Sequence, residues 1–170
     1  MTTTFFIAEI LRYFIGFFLL AAALGKLGVA MHFQRNLVQS FGMSTKMSRV
    51  LAPAVIGAEF IVAAMVLVAA ERVGMLISLL MFCAFSALLS YKFFTESVVK
   101  CSCFGEAERA VSLFDLVRNL LVIAAIAIWL LLPSGPALPV QVAILAAALA
   151  SVLCVLAIEF HGIAAVLARS

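Results

Sequence analysis

Residues 50–70 read VLAPAVIGAEFIVAAMVLVAA, a run in which Glu59 is the single ionisable side chain. A helix needs about 20 apolar residues to cross the hydrocarbon core of a bilayer, and this run supplies them without a break. Two residues later, beyond Glu71-Arg72, a second run extends from Val73 to Phe94. Comparable stretches occupy residues 5–24, 113–132 and 140–158. Strand-like alternation is absent, which argues against a transmembrane barrel. The chain is 67% hydrophobic and only 11% charged, whereas soluble domains carry about 25% charge. A mean hydropathy of +1.30 agrees. The sequence therefore predicts an all-α integral membrane helical bundle, one membrane domain over residues 1–170 with five spans. Met1 to Phe6 has neither the positive start nor the small-residue cleavage site of a secretory signal, so the first helix is expected to remain.

Between the spans, residues 31–49 interleave Phe33, Leu37, Val38, Phe41 and Met43 with Gln34, Arg35, Asn36, Gln39 and Lys46. That pattern predicts an interfacial helix followed by a short connector. Pro53 is expected in the opening turn of the second span, where a missing N–H is tolerated. Glu59 lies deep in that span, and an intramembrane carboxylate marks either a functional site or a structural pairing of helices. Arg12, at a similar depth in the first span, is a candidate partner for it. Cys83 and Cys154 read as core thiols, since a free cysteine in an apolar helix behaves as a small hydrophobe. Ser112-Leu113-Phe114-Asp115 has the form of a capping box opening the fourth span, with Arg118-Asn119 about one turn inside. That polar pair would either face the bundle or anchor the helix at the interface.

The one sizeable polar loop of the second half, residues 95–112, carries Cys101-Ser102-Cys103-Phe104-Gly105. Two cysteines at i and i+2 close only a small ring, which strains the disulfide and removes little loop entropy. Such a bond is a poor staple and is suited to being made and broken. Three readings remain open from the pair itself: a redox couple, a soft-metal site for Cu(I) or zinc, and idle thiols. Lys100 favours a thiolate at Cys101 while Glu106 and Glu108 oppose it. Gly105 permits a tight turn behind the pair. The methionines are dispersed without the ladder of soft ligands that a metal route would want. The net charge of +3 is scattered, so nucleic acid is not an expected partner. No dinucleotide fingerprint or phosphate loop occurs, and no cofactor or metal ligand set is identified.

Together, Gly25-Lys26-Leu27, the following Phe33 segment, Glu59 behind Pro53, the Cys-x-Cys-Phe-Gly string and Arg118-Asn119 resemble the MauE family. These are small membrane proteins related to the DoxX-like four-helix group and associated with methylamine utilisation. The resemblance implies a DoxX-like four-helix core, with the fifth span as an addition. It further implies a thiol-disulfide oxidoreductase with a redox-active Cys101–Cys103 disulfide, supported by Lys26, Glu59, Phe104, Gly105, Arg118 and Asn119. The implied partner is an exported thioredoxin-like protein or a small-molecule thiol, acting in disulfide formation or maturation of secreted proteins. No thioredoxin-like domain is fused here, so that partner is expected to be separate. A soft-metal carrier and a noncatalytic assembly factor are the alternatives.

The expected location is the cytoplasmic (inner) membrane, with several passes. The loops holding Lys26 to Arg49 and Lys92 to Arg118 fall on one side, which the positive-inside rule assigns to the cytoplasm. Disulfide chemistry persists on the exported side, and the implied family role puts the cysteine loop there.

Overall fold

In the computed structural model, residues 2–69, 71–95, 113–133 and 139–159 are described. They form six α-helices: α1 (Thr2–Gly28), α2 (Ala30–Phe41), α3 (Thr45–Ala64), α4 (Glu71–Thr95), α5 (Leu113–Leu131) and α6 (Val140–Ile158). A π-helical segment, Met65–Ala69, extends α3. Five helical stretches are long and apolar enough to cross a membrane, Thr3–Gly28, Thr45–Val68, Glu71–Thr95, Leu113–Leu131 and Val140–Ile158. The protein is an all-α membrane bundle of five spans plus the short α2.

The amphipathic 31–49 stretch is divided. Gly42 adopts a left-handed backbone, φ 65°, at the end of α2, and Met43 N–H donates to the Leu37 carbonyl at 3.3 Å. Glycine suits that position because it lacks the Cβ that penalises positive φ. Ser44 then caps α3, its hydroxyl accepting from Met47 N–H at 3.3 Å. Because the cap starts α3 at Thr45, Pro53 lies inside the helix instead of in its first turn. Its ring is exposed, on the outer face of the bundle.

α1 is the central element, packed along α6 and α3, while α4 packs along α5 and α2 rests on α3. The main core joins Ile15, Phe18 and Leu19 of α1 to Val62 and Val66, Met75 and Phe82, Val122 and Ile126, and Cys154. The rings of Phe18 and Phe82 meet with centroids 5.9 Å apart. In lipid, where the tails are as apolar as leucine, such packing and the polar contacts hold helices together. Many large apolar side chains face outward, among them Ile61, Leu80, Phe94, Leu120 and Leu131, as expected of a surface solvated by acyl chains.

Cys154 is buried as expected, but Cys83 is exposed on the outer face. The inward line of α4 runs Met75, Ser78, Phe82, Ser86 and Leu89, and Cys83 stands one residue, about 100°, round from Phe82.

The hairpin between α3 and α4 depends on a close approach. A Cβ on Gly74 would meet Val66 Cγ2 and Val66 N at 2.9 Å, and the Met65 carbonyl carbon at 3.1 Å. Backbone atoms cannot swing aside as a side-chain end can. Gly74→Ala is therefore expected to lower stability by about 1–3 kcal/mol. Gly57, whose Cβ position is open, should gain up to about 1 kcal/mol from the better helix propensity of Ala. Thermal unfolding in one detergent compares the two variants, and equal losses would contradict the assigned packing.

Candidate functional site

Two charged clusters cross-link the bundle, one towards each end. Near the start of α1, Arg12 pairs with Glu9 one turn back at 2.7 Å and with Glu71 of α4 at 2.8 Å. Its Nη1 also donates to the Leu67 carbonyl of the π segment at 3.3 Å, where widened helical turns leave carbonyls available. Arg12 stacks over the Tyr13 ring at 4.7 Å as well. The expected Arg12–Glu59 pairing does not form. α1 and α3 run antiparallel, and the residue of α1 that meets Glu59 lies beyond Arg12, 14 positions and roughly 21 Å further along the helix. That residue is Lys26.

Lys26 Nζ donates to Glu59 Oε1 at 2.6 Å. Their side chains are 5% and 11% exposed, so this pair is largely withdrawn from its surroundings. The Phe33 ring of α2 closes over it, with its centroid 6.0 Å from Nζ. Phe33 is itself held by Leu37 of α2 and by Ala52 and Ile56 of α3 in a second apolar cluster. A charge in mid-span is unfavourable by about 2.5–3.5 kcal/mol on insertion scales. Pairing inside a capped pocket is how both charges are accommodated.

α5 brings a second pair toward the same region. Arg118 Nη2 lies 3.5 Å from Asp115 Oδ1, one turn back on the same helix. Arg118, Asn119 and Asp115 are all buried, so Arg118-Asn119 faces the bundle and does not anchor the helix at the interface. The like charge of Arg118 weakly opposes that of Lys26. Glu59 Oε2 and Asn119 Nδ2 are buried without a hydrogen-bond partner among the described residues. Each retains capacity to accept or donate one more hydrogen bond.

Of the residues singled out from the sequence, Lys26 and Glu59 pair directly, and Arg118 and Asn119 are buried on α5. Cys101, Cys103, Phe104 and Gly105 lie outside the described residues, as does Ser112 of the capping box. The segment holding the cysteines joins Thr95 to Leu113, and Arg118 stands only five residues into α5. Among the buried polar residues, Asn36, Ser48, Ser78, Ser86 and Asp115 escaped the sequence reading. Asn36 is 6% exposed, and its spacing of three from Phe33 was the available signal for the inward face. Asp115 was read as a cap, although its i,i+3 spacing to Arg118 marks a helical charge pair.

No cluster of three or more His, Cys, Asp or Glu able to hold a metal occurs among the described residues. A family model described as methylamine utilisation protein MauE matches residues 4–133. The chain belongs to the MauE family. The match covers α1 to α5, including the four spans that carry both charged clusters, and ends before α6. No curated protein and no solved structure matches the chain.

The different burial of the two clusters gives a measurable contrast. Glu59→Gln leaves the Lys26 ammonium buried without a carboxylate, a change expected to destabilise by about 3–5 kcal/mol. Arg12→Gln removes pairs that include the half-exposed Glu71, for which about 1 kcal/mol is expected. Unfolding of both variants in mild detergent checks the order, and a greater loss for Arg12→Gln would contradict it.

Proposed function

We propose that this MauE-family membrane protein is a thiol-disulfide oxidoreductase in which Cys101 and Cys103 cycle between dithiol and disulfide. The observation that carries the reading is the sequence of the 95–112 segment, which sets two thiols one residue apart and leads into the helix bearing Arg118 and Asn119. In the oxidising half-cycle, a thiolate of an exported thioredoxin-like partner attacks one sulfur of the Cys101–Cys103 disulfide. A mixed disulfide forms and the other sulfur leaves as thiolate. The partner's second thiolate then attacks the mixed disulfide, leaving the partner oxidised and Cys101 and Cys103 reduced. Two electrons pass to the pair, and two protons follow to the thiols. The small ring favours this direction, because strained disulfides are the more oxidising ones.

Lys26, Glu59, Arg118 and Asn119 are positioning residues in this reading. The Lys26–Glu59 ion pair joins α1 to α3, and Arg118 is held by Asp115 within α5, at the end of the bundle from which the segment leaves and returns. The buried Glu59 Oε2 and Asn119 Nδ2 supply hydrogen-bonding capacity for a group from that segment. We place the segment on the exported side, where disulfides persist. The burial of Lys26 and Arg118 in ion pairs removes two charges from the count that favours the opposite orientation.

Mass spectrometry after alkylation, across a series of glutathione redox buffers, tests the proposal. A reversible Cys101–Cys103 disulfide is expected, with Cys154 free throughout, and an impermeant maleimide should reach the reduced pair in intact cells. Thiols that stay free at every poise would overturn the redox reading. Stoichiometric Cu(I) binding lost in Cys101→Ser/Cys103→Ser, without thiol exchange, would identify a soft-metal carrier instead.

A further inference from the structure

Three cations stand exposed where the chain passes from α2 into α3: Arg35 on α2, and Lys46 and Arg49 in the first turns of α3. Lys46 and Arg49 are three residues apart and so share one face of their helix, and α2 rests on that same helix. Among the described residues, none of the three pairs with a carboxylate. The sequence explains why. Between Glu9 and Glu59 the chain holds no acidic residue, and Glu59 is committed to Lys26 inside the bundle. At the opposite end, by contrast, Arg12 is met by Glu9 and Glu71.

Beyond the cations, the same face of α3 becomes an outward apolar strip. Val50, one turn on from Lys46, is exposed, and so are Ala54 and Ile61, at spacings that keep one helix face. Between them, a Cβ on Gly57 would meet nothing within 4 Å. The stretch Thr45–Val68 is long and apolar enough to span a membrane, so Ala54 and Gly57 leave a shallow trough that leads from the charged turns into the hydrocarbon layer.

We infer that this elbow seats an anionic phospholipid of the surrounding leaflet, with its phosphate on the Lys46–Arg49 face and an acyl chain along Ala54 and Gly57. Two demands select that occupant. It has to bring net negative charge, because three like charges on one surface gain little from a zwitterionic headgroup, whose own ammonium adds a further repulsion. It also has to be apolar below the phosphate, because the strip beyond the cations lies among acyl chains. A soluble acidic partner meets only the first demand, and a lipid without net charge only the second. Each basic residue beside an anionic surface strengthens attachment by about fivefold. The elbow also carries Phe33 over the Lys26–Glu59 pair, so a lipid held there braces the cover of the candidate site. The seat is independent of the thiol chemistry.

Native mass spectrometry of the full chain released from detergent counts bound lipid and reads its affinity. Phosphatidylglycerol is expected to bind at least about tenfold more tightly than phosphatidylcholine with the same acyl chains. Lys46→Gln/Arg49→Gln should weaken phosphatidylglycerol by about tenfold or more, and Arg35→Gln by about fivefold, with phosphatidylcholine unchanged. Ala54→Leu, which fills the trough without altering charge, should weaken it as well. Substitutions on two helices guard against one that fails to fold, and Arg72→Gln, which removes an exposed charge at the opposite end, should leave the affinity as it is. Equal affinity for the two lipids would overturn the seat. So would the same loss in Arg72→Gln as in Arg35→Gln, since the attraction would then be that of net charge alone. Glycerol 3-phosphate, the headgroup phosphate without tails, should not displace the lipid at equal concentration. Displacement would reveal a site for a free phosphate and overturn the lipid assignment.

Discussion

A lysine and a glutamate joined at 2.6 Å inside a membrane bundle set the terms for the rest of this structure. Neither charge can be left facing lipid, so α1 and α3 must sit antiparallel in the register that brings Lys26 to Glu59. The same register delivers Arg12 to Glu71 and to the Leu67 carbonyl at the other end. α2 is drawn in as well, because Phe33 covers the pair and is packed on α3 through Leu37, Ala52 and Ile56. A buried ion pair is weak evidence for net stability and better evidence for specificity, since a mismatched register would strand both charges.

Much of this was legible beforehand. Five apolar runs gave five spans because a bilayer demands a minimum length of uninterrupted apolar helix, and that demand leaves a coarse, strong signal. Glu59 stood out for the same reason. Its partner did not, because pairing depends on the relative height of two helices. Depth counted from the α3–α4 turn suggests Arg12, yet that side chain is held at the turn itself by Glu71 and the Leu67 carbonyl, leaving Glu59 to Lys26. Cys83 shows the limit from another side, since α4 carries large apolar side chains on its outer face as well as its inner one. α4 alternates large and small apolar residues on both.

The polar residues of the candidate site lie towards one end of the bundle, opposite the Arg12 cluster. In the proposed thiol exchange, water-borne partners would meet charged groups that stabilise thiolates. Arg118 is paired with Asp115 along α5 and lines a cleft shared with α6. α6 lies beyond the segment matched by the MauE family, yet it packs closely on α1 through Ala146, Ala150 and Cys154. Small side chains at four-residue spacing allow that approach in lipid.

The claim that most of the account depends on is that Lys26 and Glu59 act as one unit. A double-mutant cycle with Lys26→Met, Glu59→Leu and the combined variant, followed by unfolding in a single detergent, measures it directly. Each single variant leaves a buried charge without its partner, whereas the double variant removes both charges and keeps apolar volume. The account predicts that the double variant is more stable than either single one. Losses that simply add would contradict it.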